Sequence, residues 1–180
     1  MAPNAPQEGL YQNLLSVSER PDVALTIGDP AGVGPELIRA CLEDPALPGS
    51  CTWRVIGDAS CHTPGRPTPA SARASWDALE EAARLLRIGE IAGVVTAPVC
   101  KQALNAIGFP FPGQTEFFAA QAGTDDFAMC LTGENLTVAL ATIHIPLKDV
   151  PAALKTAEIT RVGRLLAAFV RRRLKREPRI

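Results

Sequence analysis

The 180-residue sequence predicts an α/β fold: a mostly parallel sheet with flanking helices. Three observations carry this. Val23–Ile27, Thr52–Ile56, Gly93–Thr96, Phe127–Leu131 and Thr137–Ile143 are apolar, β-branched runs, too short for helices and barely alternating. That is the pattern of strands buried on both faces of a parallel sheet. Between them lie stretches with helical spacing of apolar residues. Hydrophobic residues make up 47% and charged residues 21%, which is ordinary for a globular chain and excludes disorder as the default. The 18 basic and 19 acidic residues give a net charge of −1, which excludes a strongly cationic protein.

Each element has its own justification. Residues 1–20 read as a loosely structured lead-in. Val23–Ile27 ends at Gly28, and a Gly/Pro loop leads to a helix over Glu36–Leu42, with Pro35 suited to its first turn. Thr52–Ile56 is stopped by Gly57-Asp58. Cys61–Ala70 (CHTPGRPTPA) holds three prolines and marks a boundary. The expected organisation is therefore a first α/β domain beginning at 21–60, a Pro-rich connector at 61–74, and a second α/β domain with the final helix at 75–180. Ser75–Leu86 is expected to be helical, with Trp76, Leu79, Ala83 and Leu86 on one stripe. The last helix, about Ala157–Lys175, sets Ile159, Val162, Leu166, Phe169, Val170 and Leu174 opposite Arg161, Arg164, Arg171, Arg172 and Lys175.

Cys41, Cys51, Cys61, Cys100 and Cys130 are odd in number, scattered and without a Cys-x-x-Cys pair. That argues against a disulfide framework or a structural zinc site and for a reducing, cytoplasmic compartment. Neither a secretion signal nor a membrane span is expected, since no apolar run of about 18 residues occurs. Residues 151–180 carry nine Lys/Arg against Glu158 and Glu177, a net +7, leaving −8 on residues 1–150. This basic stretch lacks interleaved aromatics or a helix-turn-helix pattern, and a solvated helix face accounts for it better than nucleic-acid binding does.

Four stretches can carry chemistry. Gly28–Glu36 (GDPAGVGPE) joins a strand to a helix, where glycines and a helix N-terminus can receive an anion. It is neither a Rossmann fingerprint nor a Walker loop, and local chemistry alone favours a tight strand-to-helix connection. Thr96–Lys101 (TAPVCK) follows a strand at the sheet end where ligand crevices form; Lys101 can hold a phosphate or carboxylate there, or stand solvated on the next helix. Cys100 reads as a small core residue rather than a reactive thiol. In Phe109–Phe118 (FPFPGQTEFF), Thr115 is placed to cap a helix over Glu116–Ala122, so Gln114 and Thr115 present an amide and a hydroxyl at its start. Without other information, a capped turn pinned by Phe117 and Phe118 suffices. His144 ends a strand in ATIHIPL, where a histidine can ligate metal, exchange a proton or serve structure. Only His62 exists besides it, so a metal would need carboxylates, water or another chain.

In order, GDPAGVGPE, VVTAPVCKQALNAIGFPFPGQTEFF and LTVALATIHIPLKDV resemble the 4-hydroxythreonine-4-phosphate dehydrogenase family of vitamin B6 biosynthesis, from about Pro21 to Ile180. The resemblance implies a fold of the isocitrate/isopropylmalate dehydrogenase type and a homodimer. It also implies oxidation of a small phosphorylated hydroxy acid with NAD or NADP, followed by decarboxylation. A divalent metal (zinc, magnesium or cobalt) would polarise the reacting oxygens. On the resemblance, His144 matches a metal ligand and Thr115 a substrate-binding threonine. Gln114 stands where the family's Gly-His-Thr-Glu motif has a substrate-contacting histidine. Lys101 matches the lysine of a Gly-Pro-x-x-Lys stretch in which Ala97 replaces the glycine. No catalytic or cofactor-binding position is assigned. Family members continue past Ile180 with two further metal histidines and most phosphate contacts, and the Asp58–Arg66 region is shorter here. The expectation is thus a C-terminally truncated, incomplete version of the fold. A non-catalytic fragment or pseudoenzyme is the alternative to an active dehydrogenase.

Overall fold

The computed structural model describes residues 20–60, 63–133, 135–175 and 177–178, with the Leu174 side chain left aside. Nearly all of the expected lead-in, along with Cys61 and His62, lies outside these residues. The chain divides into two compact units, Met1–Phe118 and Ala119–Ile180.

The first unit is built as β1 (Asp22–Thr26), α1 (Gly34–Glu43), β2 (Thr52–Ile56), α2 (Pro69–Arg87), β3 (Gly93–Thr96), α3 (Lys101–Ala106) and α4 (Gln114–Gln121), whose last turn runs into the second unit. The strands form one parallel sheet in the order β2-β1-β3. Leu25 pairs with Val55 on one side and with Val95 on the other. The expected α/β class with a parallel sheet and flanking helices is what forms.

Helix α2 organises the packing. Ala78, Ala82 and Leu85 face Ala24, Ile27 and Ile56, and the small alanine side chains let the helix lie close to the sheet. A neighbouring stripe, Leu79 and Ala83, is buried against Leu104, Phe109 and Phe117, with Trp76 packed alongside. Of the expected stripe, Trp76, Leu79 and Ala83 lie on this one of two buried faces, while Leu86 packs against the other cluster. Mainly alanines line the other, and they carry little hydrophobic signal. Helix α2 also starts six residues earlier than its apolar spacing implies. Thr68 Oγ1 accepts from the Ser71 amide at 3.1 Å while Ser71 Oγ accepts from the Thr68 amide at 3.0 Å, and Pro69 occupies the first turn. A proline there starts a helix rather than breaking it.

Away from α2 the sheet is only partly covered: Leu25, at its centre, is buried. Val55 and Val95, flanking Leu25, remain 44% and 52% exposed, while α2 covers the opposite face. Their apolar character reads the same in sequence whether or not a layer covers them.

The second unit holds an antiparallel pair, β4 (Cys130–Thr132) and β5 (Thr137–Ala139), a 3₁₀ turn at Leu147–Asp149, a short α5 (Val150–Ala153) and the long α6 (Thr156–Leu174). Both strands are shorter than expected. The Phe127 carbonyl accepts from Arg161 rather than from a strand partner. Beyond β5, one further ladder bond, Leu140 N–H to the Met129 carbonyl, ends the pairing. Helix α6 closes at Lys175, whose φ of 53° is left-handed and whose N–H reaches the Arg171 carbonyl. On its apolar side Val162 is buried, Leu166 and Val170 are half-buried, and Ile159 and Phe169 are exposed.

Candidate functional site

The strand order decides where a ligand can sit in the first unit. From central β1 the chain crosses through α1 to β2 on one side, then returns through α2 to β3 on the other. Connections diverge between β1 and β3, and the crevice at the carboxyl ends of such strands is the binding position of open α/β sheets.

Two loops meet there. Gly28, at φ 68°, brings its α-carbon so near the β3 loop that an added Cβ would stand 2.3 Å from the Pro98 carbonyl oxygen. The Asp29 N–H donates to that same oxygen at 2.9 Å. Gly34 is as constrained, since a Cβ would lie 2.0 Å from the Ile27 carbonyl oxygen. The loop also bonds to itself: Asp29 Oδ1 accepts from Ala31 N–H and the Asp29 carbonyl from Gly32 N–H, each at 2.9 Å. Of the two readings of GDPAGVGPE, the structural one accounts for the geometry. The glycines permit close backbone approach, and several of the amides that would receive an anion are engaged within the loop.

The polar groups come from the next loop and helix. Lys101 begins α3 and is exposed; Gln114 begins α4. A Cβ on buried Gly113 would stand 3.6 Å from Lys101 Nζ and 3.1 Å from Glu116 Oε2, so both charged tips lie over this glycine. Gln114 Nε2 donates to the Ala97 carbonyl at 3.5 Å, and its Oε1 is buried without a partner. Thr115 is half-buried in the first turn of α4. It does not cap that helix, which begins one residue earlier at Gln114. The turn is held from behind by aromatics. Phe109 stacks edge-on against Trp76 at 5.2 Å, and Phe117 meets Phe111 at 5.5 Å and Phe118 at 5.2 Å. Cys100 is half-buried just before α3 rather than in the core.

Lys101 and Gln114 are thus brought to one place, with Thr115 beside them. Glu116 joins them and was not singled out from the sequence. The only signal for it was its position directly after Thr115, at a spacing that returns one helical turn toward Gly113. His144 belongs to the second unit, where it is exposed in the loop after β5 at φ 59°, an uncommon conformation for a non-glycine residue. Among the described residues, no three His, Cys, Asp or Glu side chains lie together as a metal would require.

This arrangement has known relatives. The family model described as pyridoxal phosphate biosynthetic protein PdxA matches residues 39–180. The chain belongs to the PdxA family. It is 33% identical to a 4-hydroxythreonine-4-phosphate dehydrogenase of Trichlorobacter lovleyi, over 82% of this chain and 57% of that protein. Among solved structures, it superposes on 4-hydroxythreonine-4-phosphate dehydrogenase from Klebsiella pneumoniae with a TM-score of 0.74 at 28% identity, covering 84% of this chain and 60% of that one. It also superposes on a terephthalate 1,2-cis-dihydrodiol dehydrogenase from Burkholderia xenovorans LB400, with a TM-score of 0.55 at 25% identity, covering 81% of this chain and 55% of that one. The PdxA chain described here therefore spans between half and three fifths of the length of the relatives it matches. Its architecture is that of the isocitrate/isopropylmalate dehydrogenase type, as far as the shared portion extends.

Proposed function

We propose that this PdxA-family chain serves an oxidoreductase: NAD- or NADP-dependent oxidation and decarboxylation of 4-hydroxythreonine 4-phosphate, or a related phosphorylated hydroxy acid, in pyridoxal phosphate biosynthesis. One observation carries the reading: Lys101 and Gln114 converge at the β1/β3 crevice of a chain that belongs to this family. In this reading the Lys101 ammonium meets the charge of a phosphate or carboxylate. The Gln114 amide and Thr115 hydroxyl orient the ligand by hydrogen bonds, and the Phe109–Phe117 cluster keeps the first turn of α4 in place.

A divalent metal (zinc, magnesium or cobalt) belongs to the proposal, with His144 as one ligand. The described residues do not by themselves make a metal site, because no second and third ligand accompany His144. The Gly28–Glu36 loop likewise offers no dinucleotide fingerprint, lacking its third glycine. No step through metal or nucleotide is therefore assigned to these residues. The same observations favour a second reading, a non-catalytic member of the family, in which Gln114 in place of histidine carries no exchangeable proton near neutral pH.

The expected setting is cytoplasmic, as a homodimer acting on a small phosphorylated molecule, without nucleic acid or membrane. No helix among the described residues is long and apolar enough to cross a membrane. Nucleic-acid binding is disfavoured because Arg161 is paired with Glu158 and Asp126, and Arg171 with Glu177.

The deciding assay mixes the chain with 4-hydroxythreonine 4-phosphate, NAD or NADP and each divalent metal in turn, and follows reduced nicotinamide. Metal-stimulated reduction is expected. Silence with all metals and both cofactors removes the dehydrogenase reading for this chain and leaves the non-catalytic one.

A further inference from the structure

Helix α1 carries apolar side chains that the rest of the first unit leaves open. Gly34 alone is buried in it. Ile38 is half-buried against the core, while Leu37 and Leu42 are exposed. Between α1 and the neighbouring β2 runs a groove of about 420 Å³, lined by Ile27, Ile38, Leu42 and Val55 and by the exposed Arg39 and Glu43. Arg39 forms no ion pair among the described residues. The chain enters the sheet beside this groove. The Pro21 carbonyl accepts from the Thr52 N–H at 3.0 Å, which sets the entry to β1 next to the start of β2. Val55 lies three residues farther along that strand, about 10 Å away. Upstream of the entry, Leu10, Tyr11, Leu14, Leu15 and Val17 recur at spacings that gather on one side of a helix, with Gln12, Asn13 and Ser16 opposite. Glu8 and Glu19 bracket them.

We propose that the groove between α1 and β2 is the docking site of residues 10–17 of the same chain, which lay their apolar side along Ile38, Leu42 and Val55. The inference is independent of the dehydrogenase reading, since Lys101, Gln114 and Thr115 take no part in it. Reach favours this occupant. Val17 precedes Arg20 by three residues, a span of about 10 Å when extended. So short a tether holds the stretch beside the groove at an effective concentration of roughly millimolar, which a second copy at ordinary protein concentration does not match. Chemistry favours it as well. Eight residues form no stable helix alone, and packing of an apolar face is what orders a stretch of this length. Leu14 and Leu15 leave water together with Leu42 and Val55, and that burial supplies the attraction. A carboxylate from Glu8 or Glu19 meets Arg39, a solvated pairing that adds little affinity but sets direction.

Hydrogen–deuterium exchange of the 180-residue chain at neutral pH, read by mass spectrometry, tests this. In wild type the amides of residues 13–17 are expected to exchange about tenfold or more slowly than in Leu14→Ser, which removes an apolar anchor without touching the groove. Leu42→Lys puts a charge into the groove at a side chain that already meets water, near a helix C-terminus where a cation is favourable. It should speed exchange of residues 13–17 by about tenfold while β1 and α2 keep their wild-type protection. Val55→Thr, which keeps the β-branch and adds a hydroxyl, is the second groove variant should the first not fold, with an expected rise of about threefold. Residues 13–17 that exchange in wild type as fast as an unstructured peptide overturn the inference. Protection that neither groove variant reduces also overturns it, because the stretch then rests elsewhere. Protection that fades when wild type is diluted overturns it too, because the groove is then filled by a second copy.

Discussion

Gly28 and Gly34 carry the contact between the two loops, and each is glycine for a measurable reason. At Gly28 a side chain meets both a left-handed φ of 68° and the Pro98 carbonyl; at Gly34 it meets the Ile27 carbonyl, which is backbone and cannot step aside. Gly28→Ala and Gly34→Ala are each expected to cost more than about 2 kcal/mol. Gly93→Ala, in β3 with open space around the added carbon, should stay within about 0.5 kcal/mol. Urea midpoints of the three variants check the ordering, and equal midpoints would mean the loop contact bears no strain. These glycines were visible in GDPAGVGPE, but their purpose was not. An anion cradle and a backbone clamp need the same residue, and only the position of Pro98 separates them. Lys101, Gln114 and Thr115 were legible as residues able to touch a ligand. Glu116 was not, because its relevance comes from sharing Gly113 with a lysine twelve residues upstream of that glycine.

At the scale of elements, periodicity located the helices and misjudged where they begin and end. Apolar spacing cannot see a capping box, and α2 begins with one. Thr68→Ala removes its acceptor for the Ser71 amide and should cost about 1 kcal/mol, read from the urea midpoint at an unchanged slope. In the second unit, Arg161 ties α6 to the turn before β4. It donates to Glu158 within its own helix, and to Asp126 and the Phe127 carbonyl. The guanidinium holds the Glu158 carboxyl below its ordinary range, chiefly through their hydrogen bond. A carboxyl so depressed contributes stability that is full above its ordinary value near 4.5 and is lost as pH falls through the lowered folded value. Both side chains are solvated and the effect is small. Amide exchange along Asp125–Phe127 should accelerate relative to wild type at neutral pH in Arg161→Met. The gap should narrow as pH falls through the lowered Glu158 value, and a gap that does not change in acid would show that the ion pair is not what holds the turn.

For the molecule as a whole, the homodimer proposal has a direct test. Leu131, Leu136, Val138, Ile145 and Leu147 are all exposed in the second unit, apolar side chains that a second copy could cover. Sedimentation is expected to give twice the chain mass of 19.1 kDa; a monomer at every concentration tested withdraws the dimer. By itself the sequence determined the α/β class, the order of strands and helices, and the family, because hydrophobic period and motif order are written directly along the chain. Only the tertiary structure decided that Val55 and Val95 stay exposed beside buried Leu25, since an apolar strand reads alike whether or not a layer packs on it. It alone decided that α2 buries two stripes, because alanines hide a close approach. It also turned the Gln114 amide toward Ala97, because the direction of a side-chain acceptor is set by a carbonyl seventeen residues away and not by any neighbour in sequence.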